Sequence, residues 1–194
     1  MRKRLKLLIT LTLLMVLAVL LYFRFSNRTV ETKKPAGDED TAVSEVDKVL
    51  SKDLSKNYPL TAREVVNLYT RIQKCYYNEE CTPDEIVSLA YMTTYLFDEE
   101  LVANNPFDEY YSELLEDIEQ YHKTESTISR VILDKSSDVV YSTVDDIKYA
   151  SINCIYYVKN SKGTSRTKET YALRKDEEGR WKILGWMITP EEDD

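Results

Sequence analysis

The apolar positions of this chain follow three rhythms in succession. Positions 7–23 are uncharged without a break and are bracketed by Lys6 and Arg24. A helix of 17 residues reaches about 25 Å, near the lower limit for crossing a hydrocarbon core. From there to Ser126 the apolar residues recur at helical spacing. Val43, Val46, Leu50 and Leu54 suggest a short amphipathic helix, as a membrane-proximal stalk or packed on the domain. Val65, Leu68, Tyr69, Ile72 and Tyr76 make a second stripe, and Ile86, Leu89, Ala90, Thr93 and Phe97 a third. Phe107, Tyr110, Tyr111, Leu114, Leu115, Ile118 and Tyr121 make a fourth. Thr61-Ala-Arg-Glu64 and Thr82-Pro83-Asp84-Glu85 read as capping boxes, with Leu60 placed to staple onto Val65 and Pro83 at a first helical position. Asn105-Pro106 marks a further start. Three helices are predicted over 61–122.

Past Ser126 the period falls to two. Strands are predicted at 127–133, 139–144, 147–159, 164–175 and 181–188, with turns at Asp145-Asp146, Asn160-Ser-Lys-Gly163 and 176–179. Helices followed by an antiparallel meander imply an α+β domain with the helices on one face of the sheet. The expected organisation is a cytoplasmic tail at 1–6, a transmembrane anchor at 7–25, a tether at 26–57, the α+β domain at 58–189 and an acidic tail at 190–194.

Positions 20–25 offer no small residue for signal cleavage and no lipoprotein cysteine follows the apolar run, so an uncleaved, single-pass signal-anchor is expected rather than a signal peptide. Tyr22, Phe23 and Phe25 would anchor one interface. The denser basic cluster precedes the span, which favours the N-terminus inside and the domain outside, although Arg24, Arg28, Lys33 and Lys34 blunt the contrast.

Charge sharpens this division. The 194 residues carry a net charge of −8, but residues 1–24 hold five basic groups and no acidic one. The remainder has 21 basic against 34 acidic groups, a net −13 that disfavours nucleic acid as a partner.

The element order and the closing stretch Arg174-Lys-Asp-Glu-Glu-Gly-Arg-Trp-Lys-Ile-Leu-Gly-Trp186 resemble the nuclear transport factor 2-like (NTF2-like) cone fold. Tyr58-Pro-Leu-Thr-Ala-Arg-Glu-Val-Val66, Leu96-Phe-Asp-Glu-Glu-Leu101 and Asn104-Asn-Pro106 add a similarity to an uncharacterised family of bacterial membrane-anchored proteins, over about 45–187. That resemblance implies three helices on a curved antiparallel sheet, a bacterial cell-membrane location and a homodimer formed sheet to sheet. It leaves activity open, because the cone hosts isomerases, dehydratases, adaptors and non-catalytic modules.

Candidate chemistry is sparse. Cys75 and Cys81 flank a helix break and lie within reach of a disulfide if the domain is outside; two free thiols are the alternative. Cys154 alternates with Ile152 and Tyr156 and reads as core. The single His122 closes the last helix, where an imidazolium suits the dipole. Asp98-Glu99-Glu100, Asp108-Glu109 and Glu116-Asp117 read as solvated helix faces. Of the two sets in the long strand, Ala150, Ile152, Cys154, Tyr156 and Val158 are assigned to the core. Glu169, in phase with Tyr171 and Leu173, is the one carboxylate placed to enter a cavity there. The opposite set, with Tyr149, Asn153, Ile155 and Tyr157, could join Trp181 or Trp186 in an exposed patch that marks an interface. Fifteen tyrosines are explained mostly by core packing. With four glycines there is no phosphate-cradling loop, and neither a metal nor a cofactor is expected. The reading is a non-catalytic extracytoplasmic module binding a protein or small ligand. The alternatives are a cone-cavity enzyme of isomerase or hydrolase type and a structural subunit of an envelope assembly.

Overall fold

The structure, a computed structural model, describes residues 43–189, which form one compact unit. Five helices precede five strands: α1 (Glu45–Leu50), α2 (Ala62–Asn78), α3 (Pro83–Leu96), α4 (Glu99–Asn104) and α5 (Phe107–Lys123), then β1 (Thr127–Leu133), β2 (Val140–Val144), β3 (Ile147–Asn160), β4 (Gly163–Lys175) and β5 (Trp181–Thr189). The class is α+β, with one helix, α4, beyond the three predicted over 61–122 and the short one suggested before them.

Both capping boxes form. The Thr61 and Thr82 hydroxyls accept the amides of Glu64 and Glu85, whose carboxylates reach back to the cap amides. Leu60 does not staple: it is 86% exposed. The Asp98 carboxylate caps α4 by accepting the Glu100 amide at 3.0 Å, so this acidic run opens a helix rather than decorating one.

All strand pairing is antiparallel. β3, 14 residues long, pairs along one edge with β2 in its first part and β1 in its last part. Its other edge pairs with β4, which pairs with β5. Asp145 and Asp146 both take positive φ, the geometry of a two-residue hairpin turn whose twist suits the flanking strands. Gly179, at φ 75°, supplies the left-handed residue of the β4–β5 turn.

α2 lies on the inner face of the sheet with Val65, Val66, Tyr69, Ile72, Cys75 and Tyr76 buried. At its end the Asn78 side chain donates to the Ile128 carbonyl and accepts the Ile128 amide, beside a bulge in β1. α1 packs into the same core through Val46 and Val49 and ties to α2 by a Glu45–Arg71 ion pair at 2.6 Å. That settles the choice between stalk and packed helix, and takes the last part of the expected tether into the domain.

One expectation is corrected. Among the described residues no helix is long and apolar enough to cross a membrane, so the fold supported here is α+β with no transmembrane helix. The run at 7–25 lies outside the described residues, as do the tail at 1–6, the tether before residue 43 and the acidic tail from 190.

Candidate functional site

The inner face of the sheet is where period-two burial collects its polar groups. Ile152 and Cys154 are fully buried and Tyr156 nearly so. Tyr156 and Tyr171, on neighbouring strands, share a hydrogen bond at 2.9 Å, and the Tyr171 hydroxyl donates to Glu169 at 2.5 Å. The resulting line of Glu169, Tyr171 and Tyr156 runs from the half-buried rim into the core. Burial pushes the Glu169 carboxyl up against the opposing pull of the Tyr171 hydrogen bond. Aromatic rings fill the space above. Tyr69 packs edge-on to Tyr171 at 5.7 Å, and Trp186 lies within 6 Å of Tyr69, Phe97 and Tyr171. Beside them Tyr76 and Thr93 share a buried hydrogen bond at 3.1 Å.

Burial holds both phenols protonated well above their ordinary range, so the arrangement is a chain of hydrogen bonds that ends on the Glu169 carboxyl. Trp186 is 42% exposed at the rim, but it pairs in register with Tyr171 and so belongs to the inner face. Trp181 is buried on the same side. Neither tryptophan therefore joins the outward patch expected of them.

On the outer face Tyr149, Asn153, Ile155 and Tyr157 are half-buried. Their polar neighbours are already satisfied. Asp134 accepts both the backbone and side-chain amides of Asn153, Thr170 donates to Asn153, and Thr170 meets Thr189 at 2.9 Å. Arg130 lies 5.9 Å from the centroid of the Tyr157 ring.

Of the two alternatives for Cys75 and Cys81, the structure has the free thiols and not the bridge. The Cys81 sulfur donates to the Cys75 carbonyl at 3.3 Å. Burial pushes Cys75 up to about 12 and Cys81 to about 11, so neither is a thiolate at neutral pH. Cys154 is buried and likewise pushed up to about 12. His122 is exposed at the end of α5.

A groove of about 1150 Å³ lies between α4, the β2–β3 turn and the β4–β5 turn. Two of its five cations are ion-paired: Arg174 is held by Asp98 and Glu100, and Arg180 by Asp176 and Glu178. Asp98, only 3% exposed, also donates its amide to Ile183. Lys182 is buried between Tyr58 and Tyr95, 4.8 and 4.4 Å from their ring centroids, and donates to the Tyr95 carbonyl. Burial, then Arg180, holds its ammonium below the usual lysine range. The reading of Asp98-Glu99-Glu100 as a solvated face missed the buried Asp98–Arg174 pair. The Asp98 cap ahead of Glu99-Glu100 was the available signal.

The chain belongs to the family described as a domain of unknown function, DUF6715, whose family model matches residues 1–186. No curated protein matches it.

Proposed function

We propose that this domain is a non-catalytic, NTF2-like binding module whose outer sheet face docks a protein surface, in the first instance a second copy of the chain. One observation supports this above the others: the hydrogen bonds joining Asp134, Asn153, Thr170 and Thr189. A polar group that already has its partner within the face loses little when water is excluded, whereas an unpaired one costs about 1–3 kcal/mol. The face thus presents Tyr149, Ile155, Tyr157 and the exposed Met187 for burial while its polar atoms stay satisfied. Sedimentation equilibrium of the full chain tests the reading. Ile155→Asp is expected to shift a dimer to monomer with an unchanged circular dichroism spectrum. A parent chain that is monomeric at high concentration counts against self-association.

A second reading, catalysis from the inner face, is favoured by the Glu169–Tyr171 hydrogen bond and the upward push on Glu169. Against it, the rings of Tyr69, Tyr171 and Trp186 occupy the space a substrate would need. Loss of a turnover activity in Glu169→Gln, with folding intact, would restore it.

A further inference from the structure

Beside the charged groove lies a smaller cleft of about 500 Å³, lined by Tyr141, Ser142, Thr143, Lys148, Tyr149, Lys175 and Trp181. Its volume is typical of small-molecule sites. Its lining residues are three aromatics, a serine, a threonine and two lysines, with no carboxylate, in a chain of net charge −8.

Sheet register explains how these residues meet. Thr143 pairs with Lys148 across β2 and β3, and Lys175 pairs with Trp181 across β4 and β5. Tyr149 pairs with Arg174 across β3 and β4, so Lys148 and Lys175 stand opposite each other one step further out. Thr143, Lys148, Lys175 and Trp181 therefore form one cross-strand row, in phase with the buried Ala150 and Leu173. Tyr141 closes the cleft from the side, 5.6 Å from Trp181, and Lys175 sits 5.3 Å from the centroid of the Trp181 ring.

Like charges directly opposite on adjacent strands destabilise a sheet. Among the described residues neither lysine makes an ion pair, while the neighbouring Arg174 and Arg180 each have two. Lys148 and Lys175 also border the wider groove, whose lining includes Asp146 and Glu177. The pair thus borders the small cleft without an ion-pair partner among the described residues.

We propose that this cleft binds a phosphate monoester carried on a ring. The dianion sits between the Lys148 and Lys175 ammonium groups, and the ring lies against Tyr141 and Trp181, which share their face of the sheet. Two point-charge ammoniums suit a group bearing close to two negative charges at pH 7. The Thr143 hydroxyl, on the same face as Lys148, supplies a further donor.

The test is calorimetric titration of the full chain with phenyl phosphate, with phenol and inorganic phosphate in parallel. Saturable one-to-one binding of phenyl phosphate is expected, at least 10-fold tighter than either fragment. Lys175→Gln should weaken it about 10-fold. Lys148→Glu, which converts the like pair into an opposite pair, should abolish binding while raising the melting temperature, so that lost affinity cannot be mistaken for lost structure. Ile155→Asp should leave the affinity unchanged, which separates this site from the outer face. Absence of saturation at millimolar phenyl phosphate, equal binding of inorganic phosphate, or indifference to both lysine substitutions would each overturn the proposal.

Discussion

Glu169 sits where burial and hydrogen bonding pull a carboxyl in opposite directions. Its folded-state affinity for a proton is raised, so it contributes stability that is complete below the ordinary carboxylate range and fades as pH rises through the folded value. Glu169→Gln should therefore melt higher than the parent at pH 7, with the difference shrinking towards pH 4, in thermal scans by circular dichroism. A gap that widens on acidification would mean that the Tyr171 hydrogen bond outweighs desolvation. Its place on the inner face was legible from its phase with Tyr171 and Leu173 alone. The hydrogen bonds from Tyr171 onward were not, because pairing on adjacent strands needs the register between them, which one strand's pattern does not contain.

Among the elements, those with strong local signals matched their prediction closely. The capping boxes at Thr61 and Thr82 and the turn at Asp145-Asp146 form as read. Thr82→Ala should cost about 1 kcal/mol by removing a hydroxyl that satisfies the Glu85 amide, measured as a lower urea midpoint at unchanged slope. A loss below a few tenths of a kcal/mol would show that Pro83 and the packing of Leu89 hold the helix start without the cap. The short helix Glu99–Asn104 was missed because six residues with no buried member show no apolar rhythm. The lysine row was missed for a related reason. Lys148 and Lys175 lie 27 positions apart, and only the long β3–β4 hairpin makes them neighbours. The outward set of β3 was legible as too aromatic for a plain solvated face, whereas the assignment of Trp186 to it failed at the irregularity between Ala172 and Leu173, where the β5 register shifts.

At the scale of the whole domain, one buried ion pair clamps the helical layer to the sheet. Asp98 caps α4, receives two hydrogen bonds from Arg174 of β4, and is tied to β5 through its own amide. Removing one partner of such a pair leaves a charge without compensation, so Asp98→Ala should lower unfolding free energy by about 3 kcal/mol. Chemical denaturation of the full chain measures it; a loss under 1 kcal/mol would mean that Glu100, 3.3 Å from Arg174, takes over the charge.

The two layers also differ in sign. Residues 43–126 carry 18 acidic and seven basic side chains, whereas residues 127–189 carry eight acidic and 11 basic. A body so divided has a lasting dipole moment. Any charged neighbour exerts a torque on it before touching it, so an anionic surface would meet the strands first and a cationic one the helices, and encounters would begin already aligned.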